Sequence, residues 1–189
     1  MRRSIRFALL ALVLLLAPRL AAADEVSDAI TEAARAYKAG DMAGARTALG
    51  EATQLLAQRA AAALAAALPA ALPGWTAEDV QTNSTGLAMV GGGSQATRSY
   101  RNAEGQTVQI QVTADSPLVA PLVMAMSNPA MAGAMGKLVR LGSQRAIQTT
   151  DNDIQMLVGN RILVSITGNA PVEAKLAYAK AIDLTRLGA

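Results

Sequence analysis

The spacing of the apolar residues changes once along this chain, and that change sets the fold class. Up to about residue 68 they recur every three or four positions, and from about residue 85 they alternate every second position. The first rhythm is that of amphipathic helices and the second that of half-buried strands. In the helical part, Val26, Ile30, Ala33 or Ala34, and Tyr37 recur at helical spacing. Gly40-Asp41 interrupts them, and the Asp41 carboxylate is suited to cap a second helix by accepting bonds from free backbone amides. Met42, Ala45, Leu49, Ala52, Leu56, Ala60, Ala63 and Ala67 continue the rhythm until Pro69. Residues 24–68 therefore read as a helical hairpin, and 69–84, with its Pro73-Gly74 turn signal, as a linker pinned by Trp75.

In the alternating part, Val108, Ile110 and Val112 interleave with Gln109, Gln111 and Thr113, and Asn102-Ala103-Glu104-Gly105 makes a turn before them. Residues 97–113 read as a β-hairpin. Short strands are expected at 138–141, 146–149, 154–158 and 162–166, with turns at Asp151-Asn152-Asp153 and Gly159-Asn160. A closing helix is expected from Val172 to Leu187, with Val172, Leu176, Ala179, Ile182 or Leu184, and Leu187 inward and with Lys175 and Lys180 in solvent. Residues 85–189 thus form an antiparallel α+β domain. The whole is α+β: an N-terminal helical hairpin, then an antiparallel sheet with helices packed on one face.

Two resemblances attach to these segments. The run Ala33-x3-Tyr37-x2-Gly40-Asp41-x3-Ala45-x3-Leu49-x2-Ala52 resembles one tetratricopeptide unit, residues 33–52. That resemblance implies close helix approach at the alanines, a groove filled by Tyr37, and a scaffold for protein contacts. The element order of the second part loosely resembles the PsbP/Mog1-type domains of periplasm and thylakoid lumen; no functional residue carries over from it.

The N-terminus has its own pattern. Arg2, Arg3 and Arg6 precede an 11-residue apolar run, Phe7 to Ala17, and Ala21-Ala22-Ala23 follows Pro18. A basic region, a short apolar region and an A-x-A site describe a cleavable secretory signal peptide, residues 1–23. A spanning helix needs about 20 apolar residues. The expected location is periplasmic, with no membrane span after cleavage. Loss of Arg2, Arg3, Arg6 and Arg19 leaves 13 basic against 14 acidic residues, a net charge of −1. The basic balance of the full chain lies in the signal, so a nucleic-acid surface is not indicated.

The chain contains neither His nor Cys. That removes Ser-His-Asp and Cys-His catalysis, the usual zinc sites and dithiol redox chemistry. A hydrolase would have to use carboxylates or a Ser-Lys pair, and none of Lys38, Lys137, Lys175 and Lys180 stands in a Ser-x-x-Lys arrangement. Gly91-Gly92-Gly93-Ser94 precedes a strand, whereas a phosphate cradle opens a helix. No cofactor and no catalytic residue are expected, and the chain reads as non-catalytic.

Between Asp115 and Lys137 no residue is charged. Leu118, Val119, Leu122, Val123 and Met126 would form one face of a short helix, capped by Asp115 or Ser116 with Pro117 in its first turn, and ended by Asn128-Pro129. Met124, Met126, Met131 and Met135 permit three roles: core filling, a thioether site for Cu(I), or an adaptable apolar surface. The residues expected to meet a protein partner or apolar ligand are Tyr37, Leu118, Leu122 and Met126, with oligomer formation through the hairpin as a further possibility.

Overall fold

The computed structural model describes residues 24–84 and 92–188. Residues 1–23, expected to be a signal peptide, and Gly91 lie outside the described residues. The chain divides into two compact units, with the division between Ala52 and Thr53.

The first unit is built from α1 (Glu25–Lys38) and the start of α2 (Met42–Ala66). Its turn is set by two residues. Gly40 takes φ +79°, and the amides of Gly40 and Asp41 reach back to the carbonyls of Tyr37 and Ala36 at 3.0 Å each. This is the left-handed glycine ending that satisfies the last carbonyls of a helix. Asp41 then caps α2 as expected, its Oδ1 accepting from the Gly44 amide at 2.8 Å. The buried positions are small: Val26, Ala29, Ala33 and Ala36 on α1, and Ala45, Ala48 and Ala52 on α2.

The second unit centres on a sheet of eight antiparallel strands. They are β1 (Trp75–Ala77), β2 (Gln81–Asn83), β3 (Ser94–Asn102), β4 (Thr107–Ala114), β5 (Gly136–Leu141), β6 (Gln144–Thr149), β7 (Ile154–Val158) and β8 (Ile162–Thr167). The order is β1-β3-β4-β8-β7-β6-β5, with β2 also paired to β3. Between β4 and β5 a single turn (Pro117–Val119) leads into α3 (Ala120–Ser127) and α4 (Pro129–Met135), and the sheet is followed by α5 (Val172–Ala181). The α+β arrangement expected from the period change is the one observed.

Alternation sorts the sheet's two faces. Ala96, Tyr100, Val108, Ile110, Val112, Ile154, Met156, Ile162, Val164 and Ile166 join one core with Leu64, Ala67 and Leu68 from the end of α2 and Tyr178, Ala179 and Ile182 from the C-terminal segment. Their neighbours Gln95, Thr97, Gln109, Gln111, Gln155 and Ser165 point to the other face. Ile147, opposite Gln155 and Leu138, is also on that second face and fully buried, near where α4 contacts β5 and β6. The larger helices therefore cover one face, and the short pair lies at one end of the other.

The stretch expected to be a linker, 69–84, is instead part of the sheet unit. Ala77 lies opposite Tyr100 and Gln81 opposite Thr97, so three edge residues face two on β3. That is a bulge, which twists an edge away from further pairing. Arg98 fills it, its Nε donating to the Glu78 carbonyl at 2.9 Å. The Pro69 carbonyl accepts from Tyr100 Oη at 2.8 Å and Arg98 Nη1 at 3.1 Å, and the Leu72 amide donates to Tyr178 Oη at 3.3 Å. Trp75 packs edge-on against Tyr178 at 5.5 Å, and Tyr100 lies 4.2 Å from the same ring. Pro-Gly signalled a turn correctly, but three aromatic rings far apart in sequence hold the segment in place. The opposite edge, β5, exposes Lys137 and Arg140, charges that discourage edge pairing.

The closing helix ends earlier than expected. Ile182 is extended, and the Asp183 carboxylate accepts from Thr185 Oγ1 and from the amides of Thr185 and Arg186. Those bonds hold the Asp183 carboxyl below its ordinary range, first through Thr185. A local cap of this kind competes with helix continuation. Lys175, expected in solvent, is 1% exposed, and its Nζ lies 2.7 Å from Asp153 Oδ1. The buried side of α5 is Lys175, Tyr178 and Ala179, with Val172 and Leu176 only partly covered.

Candidate interaction surface

The residues singled out for partner binding fall in two places. Tyr37 sits at the end of α1 and is 64% exposed, so it does not fill the groove that the tetratricopeptide resemblance implied. The matching alanines Ala33, Ala45 and Ala52 are buried, as that pattern requires, but Leu49 is 53% exposed. Leu118 belongs to the turn before α3, and its side chain lies outside those described. Leu122 and Met126 are half-buried on α3.

The uncharged segment 117–136 is neither all core nor all surface. Val119, Ala125 and Ala132 are buried, while Met124 is 73% exposed and Met131 about half exposed. The Asn128 side chain caps α4, accepting from the Ala130 amide at 3.0 Å. Met126 lines a shallow pocket of about 260 Å³ together with Ser127, Arg145, Leu157 and Asn160. Its lining is mixed and includes no carboxylate among the described residues. The four methionines are divided between two helices. Met124 and Met126 are two residues apart, about 200° around the axis, so they point in different directions. Among the described residues no group of three or more carboxylates could hold a metal ion.

Lys175 is paired with Asp153 rather than with a serine. Asp153 also ends the β6–β7 turn, its amide donating to Thr149 Oγ1 at 3.1 Å, and Asn152 takes φ +60°. The turn reading of Asp151-Asn152-Asp153 is thus observed, with the lysine partner as the part that local sequence did not show. Gly92 and Gly93 have positive φ and lead directly into β3, and Ser94 Oγ donates to the Ala57 carbonyl at 3.0 Å. Among the described residues these glycines open a strand, whereas a phosphate cradle opens a helix.

The hairpin has a feature that single residues concealed. Large apolar side chains recur at seven-residue intervals on both helices, Ile30 and Tyr37 on α1, Met42, Leu49 and Leu56 on α2, and each is about half exposed or more. Ile30 and Tyr37 each come one residue after a buried alanine, Ala29 and Ala36; Leu49 likewise follows Ala48. One residue is about 100° of rotation. The same rotation on two antiparallel helices carries both rows to one side of the hairpin. By the same projection Asp28, Glu32, Arg35 and Glu51 fall on the opposite side. There Arg35 grips Glu32 through Nε at 2.8 Å and Nη2 at 2.6 Å, and those bonds lower the Glu32 carboxyl below its usual range. Counting positions from buried alanines would have found this sidedness in the sequence.

Comparison with family models, curated proteins and solved structures found no match. Among the described residues, no helix is long and apolar enough to cross a membrane.

Proposed function

We propose that this chain is an exported, non-catalytic envelope protein that binds a protein partner through the apolar side of its helical hairpin. One observation carries the reading: Ile30, Tyr37, Met42 and Leu49 are exposed on one side, with the acidic residues on the other. Helix faces of this kind, read as residues at i and i+7, are a recurrent mode of protein recognition. The missing imidazole and thiol support the non-catalytic part, because the commonest nucleophile–base pairs need one or the other. The N-terminal pattern supports export, with cleavage after Ala23.

Affinity capture from envelope extracts tests the binding. The unaltered chain retains a partner that the Tyr37→Asp variant loses, while Leu122→Asp on α3 retains it. Equal capture by the unaltered and Tyr37→Asp chains sinks the reading. The mass of the chain recovered from the envelope tests export: it starts at Asp24.

A further inference from the structure

We infer that Arg140 and Arg145, set side by side on the sheet with a polar pocket next to them, bind a phosphate monoester. The inference is independent of the hairpin and its partner. It begins in the sequence. Between Asp115 and Asp151 the charged residues are all basic: Lys137, Arg140 and Arg145. Strand pairing brings two of them together, because Arg140 on β5 lies directly opposite Arg145 on β6. Val139 and Ala146, the pair beside them, face the main core, so the two arginines leave the sheet on its second face. Lys137 pairs with Gln148 and falls on the first face.

Like charges directly opposite on neighbouring strands destabilise the pairing. Neither Arg140 nor Arg145 belongs to an ion pair among the described residues. Asp115, the acidic residue that precedes this stretch, is already held by Arg161 at 2.9 Å. Protection of the sheet edge accounts for Arg140, on the outermost strand, but not for Arg145, one strand inside. An anion shared by the two guanidiniums accounts for both.

Arg145 lines two shallow pockets. One, of about 370 Å³, is walled by Leu138, Val139 and Arg140. The other, of about 260 Å³, brings in Ser143, Gln144 and Asn160, with Met126 and Leu157 as an apolar wall. Ser143 offers a hydroxyl donor, and Gln144 and Asn160 offer amide donors. Ser127, also in that lining, has its hydroxyl committed to the Val123 carbonyl at 2.7 Å. Charge selects the ligand class. A phosphate monoester carries about −1.5 to −2 at neutral pH and presents three acceptor oxygens. It therefore balances two guanidiniums, whereas a carboxylate balances one. The apolar wall receives the organic part of the ester.

Calorimetric titration of the full chain at low ionic strength tests the inference, with phenyl phosphate as the probe. Binding is saturable, and tighter than for inorganic phosphate, which lacks the apolar part, or for benzoate, which lacks the second charge. Arg140→Gln and Arg145→Gln each weaken it by at least about 10-fold, the loss expected for hydrogen bonds to a charged group. Lys137→Gln leaves it unchanged. Both arginines are exposed, so the variants fold; without ligand their thermal midpoints match or exceed that of the unaltered chain, because each change removes a like-charge contact. Sedimentation with vesicles containing phosphatidic acid, against vesicles of phosphatidylcholine alone, separates two sources of the ester. Pelleting that both arginine variants lose assigns a lipid headgroup, and phenyl phosphate binding without pelleting assigns a soluble ester. No saturable heat with phenyl phosphate overturns the inference, as does binding indifferent to Arg140→Gln and Arg145→Gln or weakened equally by Lys137→Gln.

Discussion

The hairpin and the sheet treat their apolar residues in opposite ways. In the sheet unit the large side chains go inward: Tyr100, Tyr178, Ile110, Met156 and Ile166 are fully buried, and the outward positions are mostly Gln, Thr and Ser. In the hairpin the small side chains go inward and the large ones outward. A chain that buries alanine and exposes tyrosine has left its largest source of hydrophobic stabilisation unused within that unit. The sheet unit buries its large apolar side chains, and the hairpin leaves its own largely in water.

The sharpest way to break this contrast is at the aromatic centre of the sheet unit. Tyr100 is fully buried, donates to the Pro69 carbonyl and stacks on Tyr178. Tyr100→Ala removes the ring and leaves a cavity, and should cost about 4 kcal/mol. Tyr37→Ala on the hairpin should cost the monomer less than about 0.5 kcal/mol, because its ring is mostly in water. Denaturant midpoints compare the two. Equal losses would mean the exposed and buried tyrosines do the same work, and the contrast fails.

The buried ion pair comes next. Asp153→Ala leaves the Lys175 ammonium buried without its partner and should cost about 3 kcal/mol, whereas Lys175→Met removes the charge with its partner's need and should be near neutral. Thermal midpoints of the two variants decide it; a larger loss for Lys175→Met would show the pair to be a net stabiliser.

Both results bear on what the sequence could show. The alternation at 107–114, 154–158 and 162–167 was legible because every second residue is apolar and each turn carries its own signal. Gly159 and Asn160, for instance, both take positive φ, as a tight hairpin turn demands. The cap at Asp41 was legible for the same local reason. Lys175 was not, because its burial depends on Asp153, 22 residues earlier and on another element. Nor was the paired edge at 75–83, where Arg98 and Tyr100 supply the partners. The candidate surface was half legible: Tyr37 stood out as an aromatic, but its inward placement followed from a pattern whose alanines fit and whose large residues do not. Local chemistry can be read along a chain, while long-range pairs need the fold.

A third test uses pH. Burial, partly offset by Arg98, pushes the Tyr100 phenol from 10.0 up to about 12. The unfolded chain loses that proton near pH 10, while the folded chain keeps it until about 12. The folded state then binds more protons, so stability falls as pH rises. The contribution is intact below about pH 10 and is lost by roughly 2 kcal/mol as pH climbs through 12. Tyrosinate absorbance should show a late fraction, coincident with unfolding, that Tyr100→Phe reduces but does not abolish, because burial also pushes the Tyr178 phenol up. A single early titration of all tyrosines would show the ring to be reachable by water and the sheet core looser than its burial implies.

The smallest effect sharpens the comparison from the hairpin's side. Asp41 accepts from the Gly44 amide and is exposed, so Asp41→Ala removes one cap and nothing from any core. Caps of this type are worth about 1 kcal/mol. That is a small fraction of what the sheet core supplies, but a large one for a unit whose buried residues are alanines and one valine. Amide exchange should therefore accelerate at Gly44, Ala45 and neighbouring α2 positions by roughly 5-fold, the factor that 1 kcal/mol represents, while Ile110 and Val164 keep their protection. Unchanged exchange at Gly44 and Ala45 in the Asp41→Ala variant would show that the cap contributes little and that the contacts of the alanines alone hold this turn of the hairpin.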